Sequence, residues 1–188
     1  METLQAGRTE KKVSTLDLVY IAIGVTLITV CSWISIPMTV PFTLQTFAVF
    51  AVLLIMGGER GVASILVYVL MGAIGIPVFS GFSGGIAKVM GTTGGYIVGF
   101  IFIGLIYAVF TRFFGKKIWI EITALLLGLM VCYAFGTAWF MFVYMRDTGP
   151  IGLLTVLSWC VFPFIIPDIV KMAVAFAISR RVRKVIIK

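Results

Sequence analysis

Charged residues fall almost entirely in short clusters along this chain, and the apolar stretches between the clusters have lengths suited to a bilayer. About 20 apolar residues cross the hydrocarbon as a helix, and shorter stretches cross only where protein covers their ends. The first stretch covers about residues 16–36, after the polar segment Arg8-Thr9-Glu10-Lys11-Lys12. It is long for a signal peptide and lacks a small-x-small cleavage site, so it reads as a retained helix. The next two cover about 44–56, closed by Gly57-Gly58-Glu59-Arg60, and about 62–76, ended by Pro77. A fourth runs over about 96–114 to Gly115-Lys116-Lys117, and a fifth over about 118–144 to Arg146-Asp147. The sixth runs over about 151–178, with Pro163 and Pro167 inside it and Arg180-Arg181-Val182-Arg183-Lys184 after it. The expected fold is therefore an all-α membrane protein of six transmembrane helices. It forms one integral membrane domain over 1–188: a polar segment to 15, a bundle over about 16–180, and a basic tail over 181–188.

Composition closes the alternatives. The apolar share is 61% and the charged share 12%, against about 45–50% and about 25% in soluble domains. A water-soluble chain of 188 residues cannot hide that much apolar surface in one core. There is no His, which removes the commonest general base and metal ligand. Cys31, Cys132 and Cys160 lie inside apolar runs and read as small buried hydrophobes. Neither a catalytic nor a metal site is expected.

The net charge of +8 is a statement about topology. Six spans put both termini on one side. That side carries twelve of the fifteen Lys and Arg residues, the other side only Lys88 and Arg146, and Lys171 lies within a span. Positive charge marks the cytoplasmic face, so both termini are expected in the cytoplasm of a multi-pass protein in the cell membrane. The same residues attract anionic lipid headgroups; nucleic acid is not an expected partner.

Spans two and three, at about 13–15 residues or roughly 20–23 Å, are too short to cross unaided. The segments on their outer sides, 37–43 and 77–95, are nearly uncharged and must reach protein-covered depth. Irregular backbone survives there only against protein or a cavity, so an outward-opening cavity covered by outer loops is expected. The second of these loops, with the Tyr96 that follows it, holds six glycines, which allow tight turns and close backbone approach. It lacks the order of a nucleotide-binding P-loop. Thr43 is a plausible N-cap for span two, with Gln45 in the first turn behind it. Asp168 and Lys171 are read as the only charges placed deep in a span, and such groups count as functional candidates. Their spacing puts them on one helix face, just after the backbone break at Pro167. They offer an acceptor and a cation to one small ligand, or else neutralise each other and orient helices. Small residues at Ala22, Gly24 and Thr26 fit close helix packing, within the chain or with a partner subunit.

Taken together, Val40-Pro41-Phe42-Thr43-Leu44-Gln45-Thr46, Gly72-Ala73-Ile74-Gly75-Ile76-Pro77-Val78-Phe79, Ser83-Gly84-Gly85, Gly91-Thr92-Thr93-Gly94-Gly95-Tyr96 and Pro167-Asp168-Ile169-Val170-Lys171 resemble the BioY family. These are the biotin-specific substrate-binding (S) components of energy-coupling factor (ECF) transporters. The resemblance covers nearly all of the chain beyond residue 15. Thr92 stands where the family often has Pro, Pro167 where it often has Gly, and Thr26 where it often has Ala. The resemblance implies high-affinity biotin capture, with a transmembrane T component and two ATPase subunits as partners and no cofactor of its own. It implies that Asp168 accepts ureido N–H bonds with Lys171 nearby. It also implies that Thr43, Gln45, Thr93, Gly94, Gly95 and Tyr96 complete the pocket, and that Ala22, Gly24 and Thr26 meet the T component. An S component for another vitamin is the nearest alternative, and a membrane enzyme or passive channel a more distant one.

Overall fold

A computed structural model describes residues 14–186; Arg8, Lys11, Lys12 and Lys188, counted above toward the inner face, lie outside the described residues. Helix α1, Thr15–Trp33, opens on a capping box in which Ser14 and Asp17 satisfy each other's free N–H groups. After it come two short antiparallel strands, β1 (Ser35–Ile36) and β2 (Phe42–Thr43), with Ser35 opposite Thr43 and Ile36 opposite Phe42. This hairpin is absent from the sequence reading, because four strand residues leave no usable alternation.

Helix α2, Gln45–Met56, is the centre of the molecule. Ala48, Val49, Phe50, Ala51, Val52, Leu53 and Leu54 are all essentially sealed. A helix apolar all round belongs inside a bundle, and α2 is enclosed by α1, α3 (Gly58–Ala73), α5 (Gly94–Phe114) and α8 (Phe162–Ile186). Twelve residues give about 18 Å of helix, so its ends stop short and the hairpin and loops close over them. Gly57, at φ +84°, turns the chain straight from α2 into α3. α3 starts four residues before the predicted boundary and carries Arg60 in its first turn, where Arg60 pairs with Asp17 of α1 at 2.7 Å.

Helix α6, Ile118–Asp147, lies along α5. Their seam is made of glycines: a Cβ at Gly99 would meet Cys132 Sγ at 2.6 Å, and one at Gly128 would meet Ile103 Cα at 2.9 Å. Close approach of this kind is how apolar helices associate in lipid. The predicted sixth span is two helices, α7 (Leu153–Cys160) and α8, broken at Val161. Pro163 falls in the first turn of α8, where its missing N–H is harmless, while Pro167 lies inside α8 and leaves the Pro163 carbonyl without its helical donor. Residues 181–186, expected as a tail, continue α8. The fourth helix in sequence order, α4 (Ile86–Met90), is a short turn within the glycine-rich loop.

Among the described residues, α1, α5, α6 and the α7–α8 run are long and apolar enough to cross a membrane, and α2 is a shorter apolar helix. The starts of α2, α5 and α8 meet the ends of α1, α3 and α6 at one end of the bundle. That end holds the site.

Candidate functional site

A cavity opens at this end, walled by residues of the hairpin, the loops, α2, α5, α6 and α8. Sites for small ligands are commonly lined mostly by apolar groups with a few polar ones. Val40 and Pro41 come from the hairpin, Phe79 and Ser80 from the loop after α3, Ile97 and Phe100 from α5, Leu129 from α6 and Phe164 from α8. These apolar walls make the polar groups conspicuous.

Asp168 and Lys171 lie on the wall. Phe164, Asp168, Lys171 and Ala175 share the inward face of α8 at helical spacing. The Lys171 ammonium is 2.9 Å from Asp168 Oδ1, with side-chain exposures of 8% and 2%. A pair this deep in apolar surroundings persists only with further hydrogen bonds, and the structure supplies them. Thr46 of α2 donates to Asp168 Oδ1 at 2.8 Å and accepts from Lys171 Nζ at 3.0 Å. Tyr133 of α6 donates to Asp168 Oδ2 at 2.6 Å. The Phe42 ring lies 4.3 Å from the ammonium and adds a cation–π contact.

Gln45 is buried at the start of α2, and Thr43 sits in β2. The N-cap position belongs to Leu44 rather than Thr43, because Thr43 is held in the hairpin. The hydroxyl of Thr43 still accepts the Gln45 N–H at 3.2 Å. Tyr68 donates to the Val78 carbonyl and therefore accepts from Gln45 Nε2 at 3.0 Å. That chain fixes the amide orientation and leaves the Gln45 amide oxygen without a partner among the described residues.

The 93–96 segment divides. Thr93 and Tyr96 line the cavity, and Tyr96 OH shares a hydrogen bond with Thr137 at 3.1 Å. Gly94 and Gly95 stand behind them: a Cβ at Gly94 would come within 1.6 Å of the Val89 carbonyl oxygen, and one at Gly95 within 2.3 Å of Trp139. Their place is to let the loop and α6 close on Tyr96. Thr46 and Tyr133 were not singled out by the sequence reading. The available signal was Tyr133 itself, a hydroxyl in mid-span that must find a partner when buried.

Two indoles hold the covering loop, Trp33 Nε1 donating to the Pro77 carbonyl at 2.9 Å and Trp139 Nε1 to the Gly91 carbonyl at 3.0 Å. Phe82 at the loop tip packs on the Trp33 ring, 4.9 Å between centroids. Trp33→Phe removes one hydrogen bond worth about 1 kcal/mol, so backbone amides in 77–85 are expected to exchange several-fold faster. Unchanged exchange would show that the bond does not restrain the loop.

A second polar cluster lies at the opposite end. Glu121 in the first turn of α6 is buried, so Asp168 and Lys171 are not the only charges inside the bundle. Arg183 of α8 donates to its Oε1 at 2.7 Å and Tyr107 of α5 donates to the same oxygen at 2.9 Å.

The sequence profile of the BioY family matches residues 7–188. The chain belongs to the BioY family. A protein named probable biotin transporter BioY, from Pyrococcus horikoshii, is 41% identical over 165 residues, covering 87% of this chain and 93% of that one. The biotin transporter BioY of Thermotoga maritima is 36% identical over 169 residues, covering 89% and 96%. The crystal structure of the S-component for biotin from an ECF-type ABC transporter matches with a TM-score of 0.78 at 26% identity, over 92% of this chain and 95% of that one. Within this BioY chain, the small residues of α1 face two ways. Ala22 and Thr26 line an outer groove with Val19, Ile23, Leu27 and Val30. Thr26 donates to the Ala22 carbonyl at 2.9 Å, so its hydroxyl leaves the groove apolar. Gly24 turns inward, where a Cβ would meet Ser64 Oγ at 2.5 Å.

Proposed function

We propose that this chain captures biotin from outside the cell as the substrate-binding component of an ECF transporter. One observation carries the reading: in a BioY-family chain, a buried, hydrogen-bonded Asp168–Lys171 pair stands on the wall of a mostly apolar cavity. Biotin has the matching chemistry, with a ureido ring bearing two N–H donors, an apolar thioether ring and chain, and a terminal carboxylate. Asp168 accepts a ureido N–H, and Lys171 supplies charge and hydrogen bonding nearby. Thr43, Gln45, Thr93 and Tyr96 complete the wall, with Gly94 and Gly95 shaping the backbone behind it.

In this reading the molecule is a single integral membrane domain with six crossings: α1, α2, α3, α5, α6 and the α7–α8 run. Both termini are cytoplasmic and the cavity faces outward. The Lys and Arg distribution supports that orientation. Ala22 and Thr26 on the outer groove of α1 contact a T component, and two ATPase subunits supply the energy. The reading assigns ATP hydrolysis to those partners, since no nucleotide-binding motif is found in this sequence.

Proteoliposomes holding this chain alone are expected to bind biotin without concentrating it. Adding the T component and both ATPases with ATP is expected to drive uptake. Uphill uptake by the lone chain would contradict the partner assignment.

A further inference from the structure

Asp168 has little acceptor capacity left. A carboxylate offers about four lone-pair sites on its two oxygens. Thr46 and Lys171 occupy Oδ1, at 2.8 and 2.9 Å. Tyr133 occupies one site on Oδ2, at 2.6 Å. One further donor can be accepted, on Oδ2. The carboxylate is thereby held from three elements: α2 through Thr46, α6 through Tyr133 and α8 through its own backbone and Lys171. Without Tyr133, Oδ2 would have no tether among the described residues, and the terminal torsion of an aspartate is a soft one.

We infer that Tyr133 is a positioning residue that sets ligand selectivity. Its hydroxyl aims the remaining lone pair of Asp168 Oδ2 at a single N–H of the bound ring, so a ligand lacking that hydrogen is rejected. The inference rests on the reading of this chain as a biotin-binding component. A site built around a buried acceptor discriminates strongly against a ligand that leaves it unpaired. Tyr133 acts through the carboxylate, so its effect depends on what the ligand offers to Asp168.

That dependence separates positioning from packing. Tyr133→Phe keeps the ring and removes only the hydroxyl. Equilibrium affinities are measured for biotin and for its two cyclic carbamate analogues, in each of which a ring oxygen replaces one ureido N–H. For biotin, and for the analogue that keeps the N–H facing Asp168, the variant is expected to bind about tenfold more weakly. The other analogue is expected to bind the variant at least as well as the unsubstituted protein, because a ring oxygen no longer faces a fixed carboxylate. Equal weakening for all three ligands would mean a packing role and overturns the inference, as does full-strength biotin binding by the variant. Failure of the unsubstituted protein to bind biotin overturns the functional reading, and this inference with it.

Discussion

Asp168→Asn is expected to weaken biotin binding by about 100-fold in the purified protein. The substitution conserves shape, so the effect is electrostatic. It takes the counter-charge from a Lys171 ammonium that is 8% exposed and has Thr46 as its other hydrogen-bonding partner. It also replaces a charged acceptor at the cavity wall by a neutral one, and hydrogen bonds to charged groups carry about 1.5–3 kcal/mol, or roughly tenfold to 100-fold in affinity. Breaking a buried pair by removing one partner costs about 3–5 kcal/mol of stability, so a loss of binding could be confused with a loss of fold. The double variant Asp168→Leu with Lys171→Met separates them. It removes both charges, leaves neither unpaired, and is expected to unfold near the temperature of the unsubstituted protein while failing to bind biotin. Thermal unfolding in detergent beside calorimetric titration reads both. A folded Asp168→Asn protein with unchanged affinity would remove Asp168 from the recognition site.

The Glu121–Arg183 cluster, at the end of the bundle opposite the cavity, gives the second large effect, on stability rather than binding. Glu121 is 4% exposed and Arg183 25% exposed. Arg183→Ala therefore strands a sealed carboxylate with only the Tyr107 hydroxyl for company, whereas Glu121→Ala leaves an arginine that can extend toward the membrane surface. The first is expected to cost about 3 kcal/mol or more and the second clearly less. Replacing both by leucine is expected to recover most of the loss, since two apolar side chains leave no charge unpaired. Biotin affinity should be nearly unaffected, because Arg183 lies 15 residues beyond Asp168 on α8, about 22 Å along the helix. Equal losses for the two single variants would contradict the burial argument.

The long spans were legible because lipid imposes the same requirement on every residue of a crossing helix, and α1, α5 and α6 follow the apolar runs closely. The short elements were not. The hairpin at 35–43 exists because α2 ends below the surface and something must cover it, which is a tertiary demand without a local pattern. The break at Val161 is similar: two prolines in one apolar run signalled irregularity, but Pro163 was compatible with a helix start and did not mark the boundary. In the site, Asp168, Lys171 and Gln45 stood out as polar groups with no reason to be apolar-facing. Thr46 bonds to Asp168 and Lys171 from α2 and Tyr133 to Asp168 from α6, and only the packed bundle brings those helices together. Glu121 escaped notice because it follows a basic cluster and so resembles an exposed first-turn acid. At Gly94 and Gly95 the structure adds a packing reason that no motif showed: Val89 and Trp139 come too close there for a side chain.

The central claim is that the cavity holds biotin. Calorimetric titration of the purified, detergent-solubilised protein tests it most directly, with biotin, riboflavin and thiamine as separate ligands. The account predicts tight, saturable binding of one biotin per chain, weakened by Asp168→Asn, and no measurable binding of the other two. No saturable biotin binding, or riboflavin or thiamine binding as tight as that of biotin, would contradict it.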